Sequence, residues 1–223
     1  MNIQAGLGIL IAYLLGAIPT GLIVVRIARG RDIRKWYSGR TGATNVMRVA
    51  GYFPAFVTLL GDVFKATFAV LIGGWITGGN HWVEALSGAA AVLGHNYSVF
   101  LLERKEGRWV WQGGAGGASA WGAFLGLWPL GALVSIPVLL GGVYYGIGYA
   151  SVTTLSAPFL AGILFAIRAA LGIGPWAYVL FAVLVEFLVA WALRPNIRRL
   201  IRGEERLVGW RAKRKIEEQN QSN

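Results

Sequence analysis

Long apolar runs alternate with short polar segments along this chain, and several runs approach the roughly 20 residues that a helix needs to cross a hydrocarbon core. The pattern predicts an all-α polytopic membrane protein with about seven transmembrane helices, at residues 5–27, 53–72, 83–102, 118–127, 130–145, 155–171 and 176–193. Pro19 removes a backbone donor from the first and is expected to kink it, while Gly16 and Gly21 permit close packing there. Pro54 is acceptable in the first turn of the second helix. The run over 118–148 is longer than one crossing requires, and breaks at LWPL and Gly141–Gly142 divide it in two, the first piece short or only partly crossing. A count of five or six also fits the pattern.

The polar segment at 32–48, DIRKWYSGRTGATNVMR, lies between two of these runs. It holds Arg34, Lys35, Arg40 and Arg48, several hydroxyls, Asn45, and glycines at 39 and 42. Glycines let successive N–H groups approach an anion, and arginine supplies forked donors that match phosphate oxygens. Such a loop at the mouth of a membrane protein points to phosphate handling.

Composition agrees with the membrane reading: 56% of the 223 residues are hydrophobic and 14% are charged, with mean hydropathy +0.56, whereas soluble domains average about 25% charged. A formal net charge of +11 would suit nucleic acid, but of 21 Lys and Arg, seven lie in residues 26–48, three in 104–108 and nine from 194 onward. Those are ends of apolar runs, where cations meet anionic head groups and fix topology, so no nucleic acid partner is expected. The links at 73–82 and 172–175 carry neither Lys nor Arg. The basic segments therefore share the cytoplasmic side, and an odd number of crossings puts the N-terminus outside and the C-terminus in the cytoplasm. Residues 1–210 read as one membrane-embedded domain and 211–223 as a polar tail. The first apolar run reads as a helix and not as a removed leader, because no basic segment precedes it. The absence of Cys excludes disulfides and thiolate chemistry, and His81 and His95 are too few for a histidine metal cluster. No metal or cofactor is expected.

Asp62 and Lys65 are three residues apart and share a helix face. Charge is costly in lipid, so both are expected to point into the bundle, either as an ion pair locking helices or beside an active site. His95, between Gly94 and Asn96, is open to two readings, a hydrogen-bonded contact between helices or a group that moves a proton or orients substrate. His81 beside Trp82 reads as an interfacial anchor; Glu186 is left unassigned, with Arg168 or a hydroxyl as its expected neighbour. Gly113, Gly114, Gly116 and Gly117 before Ser119 can ring an anion at a helix start, although glycines also serve packing. Ser151, Thr153 and Thr154, and Asn196 within RPNIRRL, add donors that also suit caps, turns or a basic anchor. All four polar clusters fall on one predicted side.

In combination and order, these stretches resemble the membrane-bound acyl-phosphate:glycerol-3-phosphate acyltransferases, the PlsY family, over nearly the whole chain. AIPTGLIVVR and DIRKWYSGRTGATNVMR are similar to its first motif, with Ser38, Gly39, Gly42, Ala43, Thr44, Asn45 and Arg48 in place. DVFK carries Asp62 and Lys65; GHNYSVF and QGGAGGASAWG carry His95, Gly113, Gly114, Gly116 and Ser119. YASVTT and RPNIRRLIRGEE carry Ser151, Thr154, Asn196, Arg199, Gly203 and Glu205. The resemblance implies an inner-membrane enzyme with seven helices, its active site on the cytoplasmic side. It would move a fatty acyl group from acyl phosphate to the primary hydroxyl of glycerol 3-phosphate, giving lysophosphatidic acid and phosphate. It would work as a monomer among membrane lipids, without a cofactor. Ser38, Arg48, His95 and Asn196 would orient glycerol 3-phosphate and its hydroxyl. Thr44, Asn45, Gly113, Gly114, Gly116, Ser151 and Thr154 would hold acyl phosphate, Asp62 and Lys65 would balance charge, and Arg40, Thr41, Gly42 and Ser119 would complete the substrate site.

The chain departs from the resembled pattern. Gln112 and Ala115 stand at two lysine positions of a KGGKG-like motif, Arg40 where Asn is usual, Tyr37 and Ala66 where Gly is usual, and Leu193 where His is usual. Gln and Ala cannot replace two point charges, and Arg40 is expected to restore one from the first loop. A diverged acyltransferase with another acceptor, or a noncatalytic membrane binder or transporter, is the alternative.

Overall fold

Pro19 sets the shape of the first crossing. In this computed structural model, which describes residues 3–212 with Arg214 and Glu217, α1 (Ile3–Ala17) and α2 (Thr20–Arg29) are separate helices. Pro19 has no N–H to donate, and the turn closes instead from the Ile18 amide to the Leu15 carbonyl at 3.2 Å. A 3₁₀ turn at Ile33–Lys35 follows, capped by Asp32, whose carboxylate accepts from the Arg34 amide. Then come α3 (Ala43–Ala50), α4 (Tyr52–Ile76) and α5 (His81–Asn96), the last capped by Asn80 accepting from the amides of Trp82 and Val83.

Past α5 the structure departs from the predicted third helix over 83–102. The helix stops at Asn96 and the chain turns into β1 (Ser98–Lys105) and β2 (Arg108–Gln112), an antiparallel hairpin. Its turn is Glu106–Gly107, with φ of 49° and 78°, the doubly left-handed geometry that matches strand twist. The remaining elements are α6 (Gly117–Leu127), α7 (Pro129–Ile136) running into a π-helix (Pro137–Ile147), α8 (Ala150–Ala170), α9 (Ala177–Ala192) and α10 (Arg194–Ile201).

The expected seven crossings are not present. Among the described residues four helical stretches are long and apolar enough: Ile3–Arg29, Tyr52–Ile76, Pro129–Ile147 and Ala150–Ala170; a fifth is reached if α9 and α10, bent by 69°, count as one. At 16 residues α5 falls short because its last turns were spent on the hairpin, and α6 has only 11. The parity that fixed the sides of the two termini no longer follows. Of the tail predicted at 211–223, all but residues 211, 212, 214 and 217 lies outside the described residues.

Small side chains line the interior, as expected where helices associate in an apolar solvent that gives no hydrophobic reward for bringing them together. Ala12, Ala66, Ala69, Ala85, Ala91, Ala123 and Ala161 are buried around Phe124, Phe165 and Phe181. Phe53, Phe56, Phe64, Phe68, Leu71 and Trp75 on α4 face outward. At the α1–α5 contact a Cβ on Gly16 would lie 2.0 Å from the Ala91 carbonyl oxygen, so only glycine allows that approach. Gly16→Ala is expected to cost about 1–3 kcal/mol as overpacking. Gly142→Ala, where a Cβ meets nothing within 4 Å, should stay within about 0.5 kcal/mol. Equal thermal stability of the two variants in detergent would refute this view of the contact.

Candidate functional site

The break between α1 and α2 leaves the Ile18 carbonyl facing α4, and a buried charged group forms against it. Lys65 Nζ donates to that carbonyl at 2.8 Å, lies 2.8 Å from Asp62 Oδ1 and 3.1 Å from His95 Nδ1. Asp62 and His95 are 1% and 5% exposed. The ammonium can only donate, and it is nearer to Nδ1 than Asp62 Oδ1 is, at 3.4 Å. Nδ1 therefore accepts, and the ring proton sits on Nε2. The Asp62–Lys65 pair is thus an internal ion pair, and it abuts His95.

The glycine loop lies on that imidazole. The Gly114 amide donates to the His95 carbonyl at 2.9 Å, and the Thr41 amide donates to the Gly113 carbonyl at 3.2 Å. A Cβ on Gly114 would fall 1.9 Å from His95 Nε2. These glycines let three segments meet, namely the first loop, the end of α5 and the start of α6. Gly116, with φ of 94°, packs on the Asn96 amide, and Gly117 packs on Thr154. Asn96, absent from the sequence-derived site, donates to the Leu188 carbonyl at 3.3 Å and leaves its buried Oδ1 without a partner among the described residues. Ser119, fully buried, donates to the Asp62 carbonyl at 3.2 Å and so fastens α6 to α4. Thr154 donates within its own helix to Ala150 at 2.9 Å.

In the first loop, Asn45 is a staple. Its Nδ2 donates to the Arg40 carbonyl at 2.8 Å and the Trp36 carbonyl at 3.2 Å. Tyr37 takes a φ of 49°, a left-handed conformation costly for a bulky residue, at a position where the resembled motif has glycine. Ser38 is exposed, its Oγ 3.5 Å from the Arg40 amide. Gly42 and Thr44 are partly exposed, and Thr41 is buried. Arg40 crosses the site and donates through Nη2 to the Ala192 carbonyl at the end of α9, while its buried Nη1 has no partner among the described residues. Burial and then the neighbouring Arg199 charge make the Arg40 guanidinium easier to deprotonate than usual; burial and then Arg206 do the same to Arg48. Both arginines are thus held where an added anion would relieve them.

A second carboxylate organises the far wall. Glu205 accepts from Asn196 Nδ2 at 2.9 Å and Arg199 Nε at 3.0 Å, and Ser151 Oγ approaches it at 3.4 Å. The segment after it folds back, with the Val208 amide donating to the Gly148 carbonyl at 2.9 Å and Trp210 Nε1 to the Tyr145 carbonyl at 2.8 Å. Glu205, carried in the sequence by the RPNIRRLIRGEE stretch, is thus the acceptor that these donors share. Gln112, at one of the replaced lysine positions, donates to Glu103 at 3.3 Å, and Glu103 pairs with Arg34.

The polar clusters therefore do meet at one end of the bundle. At the other end of α5, the Tyr178 hydroxyl donates to Glu84 at 2.6 Å and His81 Nδ1 lies 2.9 Å from the same carboxylate. Arg168 is not beside Glu186: it donates to the Ile173 carbonyl and lies over the Trp128 ring. Among the described residues no three His, Cys, Asp or Glu side chains gather as a metal-ligand set.

Gly114→Ala is expected to displace His95 and abolish most activity while leaving the protein folded; full activity would show that the loop does not rest on the ring as described. Asp32 is held at about 2 chiefly by its hydrogen bond to Arg34, below its ordinary 3.8. Because the folded value is depressed, its stabilising contribution is full above about pH 4 and is lost as pH falls through the folded value. The stability gap between the native protein and Asp32→Asn should accordingly be constant above that pH and close on acidification.

The family model described as glycerol-3-phosphate acyltransferase matches residues 6–203. Glycerol-3-phosphate acyltransferase 2 of Moorella thermoacetica is 37% identical over 210 residues, covering 92% of this chain and 98% of the relative. The glycerol-3-phosphate acyltransferase of Thermus thermophilus is 41% identical over 204 residues, covering 92% and 95%. Among solved structures, the fold is similar to PlsY (YgiH), an integral membrane glycerol 3-phosphate acyltransferase, in its glycerol 3-phosphate form. The TM-score is 0.78 at 33% identity, with 92% of this chain and 96% of that one covered. Its lysophosphatidic acid form gives a TM-score of 0.75 at 31% identity, covering 92% and 95%. The chain belongs to the glycerol-3-phosphate acyltransferase family.

Proposed function

We propose that this enzyme transfers a fatty acyl group from acyl phosphate to the primary hydroxyl of glycerol 3-phosphate, giving lysophosphatidic acid and phosphate. The observation that carries this is the meeting of Arg40, Arg48, His95 and the Glu205-held Asn196 at one end of an apolar bundle. The PlsY forms with glycerol 3-phosphate and lysophosphatidic acid supply the acceptor and product. The acyl donor follows from chemistry: a mixed anhydride carries its own leaving group and needs neither metal nor acyl-enzyme.

The hydroxyl oxygen bonds to the acyl carbon, the bond from that carbon to the phosphate oxygen breaks, and the departing phosphate takes the hydroxyl proton. A serine relay is not favoured, since Ser38 Oγ faces the Arg40 amide and His95 Nδ1 faces Lys65 and Asp62. Arg48 and the unpartnered Nη1 of Arg40 offset the repulsion between two anionic substrates. Ser38, Asn196 and His95 orient the acceptor; Thr44, Ser151 and the N–H groups at 113–117 hold the donor phosphate. Thr41, Asn45, Ser119, Thr154 and the Asp62–Lys65 pair act as positioning residues. An apolar groove of about 280 Å³ lined by Tyr13, Leu93, Tyr97 and Trp111 receives the acyl chain. The unit is residues 1–210, acting as a monomer.

The site faces the cytoplasm of the inner membrane. The basic stretches at 26–48 and 194–206 stand at the same end as the site, and Arg34 draws the hairpin there through Glu103. Cation-rich segments remain on that side. The loss of two motif lysines at Gln112 and Ala115 favours, as a second reading, a different phosphorylated acceptor.

Phosphate release from palmitoyl phosphate by the purified protein should depend on glycerol 3-phosphate and yield lysophosphatidic acid by mass; release without an acceptor product would remove the assignment. Arg48→Ala and Arg40→Asn should each lower kcat/KM by roughly tenfold to a hundredfold, the scale of a charge-assisted hydrogen bond. Unchanged kinetics in Arg40→Asn would end its role as a substitute for the lysines.

A further inference from the structure

The bend of 69° after α9 turns α10 away from the direction of the preceding apolar helix. Its outer side carries a groove of about 420 Å³ lined by Arg194, Pro195, Arg198, Arg199 and Arg202. Among the described residues no carboxylate lines this groove. Arg199 reaches Glu205 through Nε, which leaves its terminal donors unassigned. Arg194 is fixed by its Nε bond to the Trp191 carbonyl and lies 3.6 Å over the Trp191 ring. The Arg198 and Arg202 side chains make no hydrogen bond or ion pair among the described residues.

Four guanidinium groups around one open volume repel one another, and an anion is the partner that relieves them. Their planar forks suit the oxygens of a phosphate. The place of the groove names the source. Trp191, half exposed at the end of an apolar helix, marks the lipid–water boundary, and the opposite side of α10 packs Ile197 on the core. At that level the abundant phosphate is a lipid headgroup, and juxtamembrane arginines are drawn to anionic ones.

We propose that this groove binds the phosphate of an anionic phospholipid headgroup, and that the bound lipid steadies Asn196 and Ser151 through the Arg199–Glu205 link. The second half rests on the acyl-transfer reading; the first does not. The full chain is reconstituted in nanodiscs of phosphatidylcholine with or without phosphatidylglycerol, beside an Arg198→Gln/Arg202→Gln variant and its Lys/Lys counterpart. Retained lipid is identified by native mass spectrometry without substrates.

The native protein should retain phosphatidylglycerol selectively, the Gln/Gln variant should lose roughly thirtyfold of that selectivity, and the Lys/Lys variant should keep part of it. Equal retention by the native and Gln/Gln proteins overturns the site. Displacement of the lipid by inorganic phosphate at matched ionic strength assigns the groove to free phosphate and overturns the headgroup. Phosphatidylglycerol should also raise acyl transfer severalfold in the native protein and leave the Gln/Gln variant at the native phosphatidylcholine rate. Selective retention without any rise overturns the link to the site. Selective retention with no acyl transfer in any lipid supports the headgroup groove and overturns the acyl-transfer reading instead.

Discussion

A carboxylate and an ammonium inside an apolar bundle have to satisfy each other, and much of this architecture serves the Asp62–Lys65 pair. Leaving one such charge without its partner costs about 3–5 kcal/mol. Lys65 has more donors than Asp62 can occupy, and the surplus goes to the carbonyl exposed by the Pro19 break and to His95. Ser119 then takes the Asp62 main-chain oxygen and brings α6 against α4. The use of the carbonyl freed by the Pro19 kink, the docking of α6 and the tautomer of the histidine thus follow from one requirement.

Around that centre the site is built by bringing backbones together. Gly114 against His95 and Gly16 against Ala91 are approaches that any Cβ would block. The cations stand on segments outside the crossings: Arg40 and Arg48 on the first loop, Arg199 on α10. They converge because the loop is stapled by Asn45 and the last segment is held by Glu205. Positive charge is therefore concentrated at the surface end, while the compensated Asp62–Lys65 pair lies in the interior beside His95.

The polar clusters were legible in the sequence because charge is scarce in the apolar runs. Pro19 marked the break for the same reason. Hydropathy could not say where a helix yields to a strand: residues 97–102 are as apolar as the helix before them, and only the Glu106–Gly107 turn within a β-prone stretch signalled the hairpin. Nor could composition show that the donors of Ser119 and Asn45, both expected at the substrate site, go to protein carbonyls. Glu205 was carried by the RPNIRRLIRGEE stretch, but local sequence could not show its partners, since one of them, Ser151, lies 54 residues earlier.

The clasp between residues 205–211 and 145–151 bears on how the protein is made. Synthesis runs from the N-terminal side, so the first loop, the buried ion pair and the glycine loop can all assemble while Glu205 has yet to be translated. Until that carboxylate emerges, Asn196 and Arg199 lack their common acceptor and the wall they form has no fixed position. The wall formed by Asn196, Arg199 and Ser151 is thereby completed only once the segment around Glu205 is available to fold back.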